Sequence, residues 1–356
     1  MKLKMLSIVV LIIAFTAGDG FAVTIGQWFG YPAADANNQA ASAGKLPGTG
    51  TWKEALWNKE GIKLPPPPAT NKDEIKIIRA KTVCTLDSDA GNYLCKLSIA
   101  GGSEEANAPR LEIVNGGTLS IGEFRVGCGG SSSSGPIGCV NQTGGTLNLA
   151  DNLLIGRFGT SDKNPNAGKG FYTISGGTIA YLPTNAKATL YVGGAGSGAT
   201  EGTFTIVGST ANISFKKLYI GSDGSNTGCT GTVEFRIGSA GVSPIRIADN
   251  ISIDLAGAAS TAKLVVSAAA EPPKTNILLI ENQGSGAVNG VFDTVNGNPA
   301  AEGAGVVLNW AGINYNYTLT YKGGQGGNDI MLFYSPAPAV APAPAAPNTP
   351  PAPVAK

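Results

Sequence analysis

A chain of 356 residues, 42% hydrophobic and only 14% charged, has enough apolar material for one large domain or two ordinary ones, and its 51 glycines favour many tight corners over helices with solvated faces. A net charge of +1 supplies no basic field, so nucleic acid is not an expected partner. The complete absence of histidine excludes His-dependent nucleophile triads and His-bearing zinc sites.

Residues 1–22 have the order of a secretory signal peptide: Lys2 and Lys4, an apolar run from Met5 to Ala17, then Gly20-Phe21-Ala22 as a small-x-small cleavage site. The apolar run is shorter than the ~20 residues that a membrane span needs, so no transmembrane segment is expected after signal removal. Residues 23–72 are irregular, with Trp28, Phe29, Trp52 and Trp57 among Gly, Ala and Asn, closing on Pro65 to Pro68. A stacked β-column exposes the end of its core at its first turn, so these aromatics are expected to form an N-terminal cap. The alternative is sugar stacking on Trp28, Trp52 and Trp57.

Over residues 73–334 the chain becomes a succession of short alternating runs separated by Gly, Ser and Asn. Apolar residues fall two apart at Leu111 and Ile113, Leu119 and Ile121, Leu147 and Leu149, Phe204 and Ile206, Ile245 and Ile247, which puts them on one face of a strand. A unit recurs: EIVNGGTLSI from Glu112, VNQTGGTLNL from Val140, YTISGGTI from Tyr172, and the degenerate TIVGSTANI from Thr205. Its corners at Gly116, Gly144, Gly176 and Gly208 are 28, 32 and 32 residues apart, and a closing apolar-Gly step recurs at Gly127, Gly156, Gly193 and Gly221. Such periods mark a solenoid or propeller. Three short strands per unit, joined by corners that need positive φ, favour a parallel β-helix over four-stranded blades, with a β-sandwich as the third option.

Asn276 to Gly290 and Val306 to Tyr334 read as strands ending in a closing hairpin. The expected fold is therefore all-β: a right-handed parallel β-helix, capped at its N-terminus. From Ser335 a Pro/Ala-rich tail, residues 335–356, has no core-forming residues and is expected to be disordered, a spacer reaching up to about 68 Å at ~3.1 Å per residue.

Candidate chemistry is sparse. Five cysteines in an exported chain read as disulfide material. Cys84 and Cys95, and Cys128 and Cys139, form two equal intervals and are the candidate disulfides, which leaves Cys229 as a free thiol, a partner for Cys139, or an intermolecular link. Glu123 with Arg125 and Glu234 with Arg236 share strand faces, either as an outward ladder of ion pairs or as the acid and base array of a polysaccharide lyase. Asp87-Ser-Asp89 and Asp223-Gly-Ser-Asn226 look like fragments of calcium loops, but turn chemistry accounts for both. Gly323 to Asp329, GGQGGND, comes near a calcium-binding nonapeptide yet occurs once, and reads as a terminal turn. No catalytic residue, metal site or cofactor is assigned.

The segment GTWKEALWNKEGIKLPPPPATNKDEIKI from Gly50, the GGTL corners with their following apolar-Gly steps, and the closing YTLTYKGGQGGNDIMLF from Tyr317 together resemble bacterial autotransporter-associated β-strand repeat proteins of the planctomycete kind, over roughly residues 45–335. The resemblance implies a parallel β-helix passenger displayed outside the cell, and carries no catalytic residues to transfer. The chain departs from the family in having no C-terminal membrane barrel, no Leu-Pro-x-Thr-Gly wall anchor and no Pro-Glu-Pro sorting tail.

The functional expectation is a secreted, non-enzymatic cell-surface structural protein of a bacterium: a coat, matrix or filament subunit, or an adhesin-like passenger. Its partners are then itself or other cell-envelope components. The alternative is a carbohydrate-binding or polysaccharide-degrading β-helix.

Overall fold

The structure, a computed structural model, describes residues 24–28, 31–32, 48–51, 74–77, 83–87, 89–101, 104–128, 136–156, 168–182, 187–194, 200–221, 228–253 and 260–336. Strands β1 (Thr24–Trp28), β2 (Tyr31–Pro32), β3 (Gly48–Thr51), β4 (Glu74–Ile77), β5 (Val83–Leu86) and β6 (Asp89–Ile99) come first. The stack continues through β7 (Arg110–Ile113) and β8 (Thr118–Val126), then β9 (Ile137–Gln142), β10 (Thr146–Leu149) and β11 (Leu153–Ile155), then β12 (Lys169–Ile174), β13 (Gly177–Tyr181) and β14 (Thr189–Val192). Next come β15 (Glu201–Val207), β16 (Ala211–Ile220), β17 (Thr230–Ile237), β18 (Ile245–Ile253), β19 (Thr261–Ala268) and β20 (Ile277–Asn282). The chain closes with β21 (Thr294–Val295), β22 (Asn298–Pro299), β23 (Gly305–Trp310), β24 (Ile313–Gly323) and β25 (Asp329–Tyr334).

These strands form stacked parallel coils of a β-solenoid of about five turns. One sheet runs β1-β4-β6-β8-β10-β13-β16-β18-β20-β25-β24-β23, with β11 and β14 alongside, and the other runs β2-β3-β5-β7-β9-β12-β15-β17-β19-β21-β22. The three expected segments per turn are separate in β9-β10-β11 and β12-β13-β14; in β8, β16 and β18 the second and third fuse into one long strand. Segments from the region expected to cap the column also join it: β1 pairs parallel with β4 and β3 with β5.

Like stacks on like, because parallel in-register pairing carries each apolar position onto its counterpart one turn away. Val140, Tyr172, Phe204, Val233 and Leu264 make one internal column, and Gln142, Ile174, Ile206, Phe235 and Val266 the next. All ten are buried. Edge-to-face contacts link Phe124 to Tyr172 and Tyr172 to Phe204. Gln142 is the polar member of its column, and it receives the Tyr172 hydroxyl proton at 2.6 Å while its amide donates to the Thr178 carbonyl at 3.1 Å.

Register corrects one corner of the repeat. Thr146 lies opposite both Thr118 and Thr178, and Gly177 opposite Ala211, so Gly116, Gly144 and Gly176 stack as expected but the fourth equivalent is Thr210. Gly208 keeps a positive φ of 65° in a corner two residues longer.

The other corner series holds throughout. Gly127, Gly156, Gly193 and Gly221 all have φ between 63° and 79°. Facing them is a second glycine ladder, Gly138, Gly170, Gly202 and Gly231, stacked in register at the second position of each strand of the other sheet. A Cβ on Gly170 would collide with the Val126 carbonyl and the Gly156 amide, and one on Gly202 with the Ile155 carbonyl and the Gly193 amide. Here the two sheets meet backbone to backbone.

At the C-terminal end the pairing turns antiparallel. β25 pairs with β20 and β24, and β24 with β23, so the expected hairpin is a three-stranded meander that closes the column.

Candidate functional surfaces

With the interior filled by apolar columns, reactive side chains project from the outer faces. On the sheet that contains β9, one outward column runs Glu112, Asn141, Thr173, Thr205 and Glu234. The Asn141 amide donates to Glu112 at 2.7 Å, the Thr205 hydroxyl to Glu234 at 3.0 Å, and Arg236 reaches both Glu234 oxygens, at 2.8 and 3.2 Å. Glu112 and Glu234 stand four rungs apart, about 19 Å at ~4.8 Å per rung, well beyond the ~5–9.5 Å at which paired carboxylates share a glycosidic bond. On the other sheet Glu123 pairs with Arg125 at 2.6 Å. Lys169–Glu201 (2.9 Å) and Arg246–Glu281 (3.1 Å) bridge neighbouring rungs. The Glu/Arg pairs therefore form within their own strands, Glu123 also lies 4.0 Å from Lys96 on the neighbouring rung, and further pairs cross the rungs. As part-exposed pairs these contribute about 0–1 kcal/mol each.

The sheet containing β10 presents a hydroxyl and amide column, Thr118, Thr146, Thr178 and Asn212, beside Ser120 and Asn148, whose amide donates to the Ser120 hydroxyl at 3.2 Å. On its third arm Tyr191 and Tyr219 stack in register, ring centroids 5.1 Å apart and 10° from parallel. Segments 129–135, 157–167, 195–199, 222–227 and 254–259 all connect this arm to the next turn, and the β13–β14 connection, 182–188, is longer than its β10–β11 counterpart, 150–152, so the repeat varies in length at more than one corner.

The cysteine expectation needs correction. Cys84, Cys128, Cys139 and Cys229 are buried thiols, and among the described residues no disulfide is formed. A bridge requires two Cβ atoms converging within about 4.5 Å, and the local surroundings turn these side chains to other partners. Cys84 faces the core between strands, in register with Leu111, and burial pushes its thiol pKa up. Cys139 lies outside the core in a small cluster with Ala108, Ile137 and Phe171. Burial raises its pKa too, partly offset by Arg110. The Cys128 thiol donates to the carbonyls of Leu154 at 3.4 Å and Val126 at 3.5 Å. The Cys95 side chain falls outside the described residues.

Of the tryptophans, Trp28 ends β1 in register with Ile77, while Trp52 and Trp57 lie outside the described residues, as do residues 1–22 and 337–356. Among the described residues no three His, Cys, Asp or Glu side chains converge as for a metal ion, and no helix is long and apolar enough to cross a membrane.

GGQGGND forms the turn between β24 and β25. Asp329 accepts the Asn282 backbone N–H at 2.8 Å, and the Asn328 amide donates to the Gly284 and Gly286 carbonyls at 2.8 and 3.2 Å. The motif is a buckle that ties the meander to β20. Beside it lies an open groove of about 500 Å³ lined by Glu281, Gln283, Gln325 and Asn328.

Apolar exposure concentrates in the meander. Of five large hydrophobic side chains exposed among the described residues, four are here: Val307 (53%), Trp310 (37%), Ile313 (58%) and Phe333 (40%). No regularity in the sequence marked this feature, because β23 alternates like every other strand. Only the pairing order reveals that it ends its sheet.

In comparisons with protein-family models, curated proteins and solved structures, no match was found.

Proposed function

We propose that this chain is an exported structural protein of a bacterial cell surface, a coat, matrix or filament subunit or a displayed adhesin-like passenger, that acts without catalysis through the surfaces its column presents. The observation that carries this reading is the open apolar end of the stack, where β23, six residues long, closes a 14-stranded sheet with Val307 and Trp310 exposed. Such an edge favours association with another chain. The signal-like segment at residues 1–22 and the Pro/Ala tail supply the expectation of export and spacing.

Fractionation of the producing cells tests the reading. The protein is expected in the envelope fraction, accessible to protease added to intact cells; recovery from the cytoplasm, protected from protease, would overturn it. The carbohydrate reading draws on the Thr/Asn/Ser ladder and the Tyr191–Tyr219 stack. A glycan array probed with and without calcium decides it: binding lost in a Tyr191→Ala/Tyr219→Ala variant favours it, and an empty array removes it.

A further inference from the structure

The two sheets end differently. The last strand of the β9-containing sheet, β22, is two residues long and includes Pro299, which has no N–H to offer. That edge is blunted against pairing. The last strand of the other sheet, β23, has the sequence GVVLNW, with no proline and no charge. No charged residue occurs from Ala304 to Tyr321. Its inner side is laddered to β24 over all six residues, Gly305 opposite Thr318 through Trp310 opposite Ile313. No strand among the described residues pairs with its outer side. A row of backbone donors and acceptors on a neutral, regularly alternating strand is met best by another extended strand.

We infer that the outer edge of β23 is a homodimer interface, in which β23 pairs antiparallel with β23 of a second copy across a two-fold axis. The inference rests on the structural reading above and specifies the contact it uses. Neutrality selects this occupant: a strand without charges meets its own copy with no like-charge opposition and needs no separately matched surface. Alternation then restricts the pairing to registers that keep inward residues opposite inward ones. Val306 and Leu308 point inward and Val307 outward, so faces agree only when a residue lies opposite its own kind. Centring on Val307 places Val307 against Val307, Val306 against Leu308 and Gly305 against Asn309, and carries the sheet and its core across the junction.

Sedimentation of the full chain, the single variants Val307→Lys and Val307→Glu, and their equimolar mixture tests this. Val307 is exposed, so the variants are expected to match the unmodified chain in circular dichroism and melting temperature. The unmodified chain is expected to sediment as a dimer, each variant alone to dimerise at least about tenfold more weakly, and the mixture to recover the dimer. A single-chain species up to ~100 µM, variants that still dimerise alone, a mixture that recovers nothing, an open series of oligomers, or a dimer lost only on removal of residues 337–356 would each overturn the inference. A monomer that still fractionates with the envelope defeats this contact and leaves the structural reading standing. A dimer confined to the cytoplasm does the reverse.

Discussion

Gln142 and Tyr172 are a polar pair inside an apolar column, and they test how strictly the stack depends on satisfied hydrogen bonds. Gln142→Leu leaves the Tyr172 hydroxyl buried without its acceptor, an expected loss of about 1–3 kcal/mol. Adding Tyr172→Phe removes the orphan, so the double variant is expected to regain much of that loss in urea unfolding. At the glycine ladder, Gly202→Ala forces a Cβ into the Ile155 carbonyl and the Gly193 amide and is expected to cost about 3 kcal/mol or more, whereas Ala262→Gly, at the rung that already has alanine, should cost about 1 kcal/mol or less. Tyr317 and Tyr321 titrate near about 12, both raised chiefly by burial. Below the unfolded tyrosine pKa of about 10 both states keep the proton, so this stabilisation is fully present there. It is lost as pH rises from about 10 toward about 12, because the unfolded chain ionises first. Melting temperature measured across that window is expected to fall, less steeply in Tyr321→Phe. The positive-φ glycines were legible in sequence because their corners recur. Their partners Gly138, Gly170, Gly202 and Gly231 recur just as regularly, each two residues before an internal Val, Tyr or Phe, but a glycine's need for close backbone approach shows only once the two sheets are placed.

At the scale of elements, the β23–β24 hairpin turns on Ala311 and Gly312, with φ of 48° and 82°. Both values are positive, as in a two-residue type I′ turn, and the first falls on a residue with a Cβ. Ala311→Asn is expected to stabilise the protein by about 0.5–1 kcal/mol, read as a higher urea midpoint at unchanged slope. Alternation and turn residues made the strands readable, including the three segments per turn. What they did not contain was which segments fuse, since β10 and β11 are interrupted while the corresponding stretch of β16 is not. The fourth corner was misplaced for a related reason: Gly208 looks like the earlier corner glycines, and only pairing to β13 identifies Thr210 as the equivalent position. Cysteine spacing also failed as a guide. Equal intervals along the chain say nothing about whether side chains converge, and here the Cys128 thiol turns to the Leu154 and Val126 carbonyls while Cys139 packs with Ala108 and Ile137.

At the scale of the molecule, the repeat determines a column, and a column has faces and ends. Its faces have ladders of small polar groups with short-range ion pairs at scattered rungs, an arrangement suited to solvation and lateral contact. Its C-terminal end concentrates apolar exposure on a meander whose edge strand, β23, is paired on one side only among the described residues. The period was visible in the sequence; the end was not, because being last in a sheet is a property of the pairing order. Nine strands lie on the path from β1 to β20, which at ~4.8 Å per strand makes a stack about 40 Å long, and the meander folds over its end, with Tyr315 and Tyr317 bonded to Glu271 and Pro273 beyond β19. Joined through β23, two copies make a two-lobed particle with a two-fold axis at its middle. Electron microscopy of the purified full chain shows that arrangement directly. Two-fold symmetric, two-lobed particles are the expected result, and particles that remain single-lobed at every concentration would contradict it.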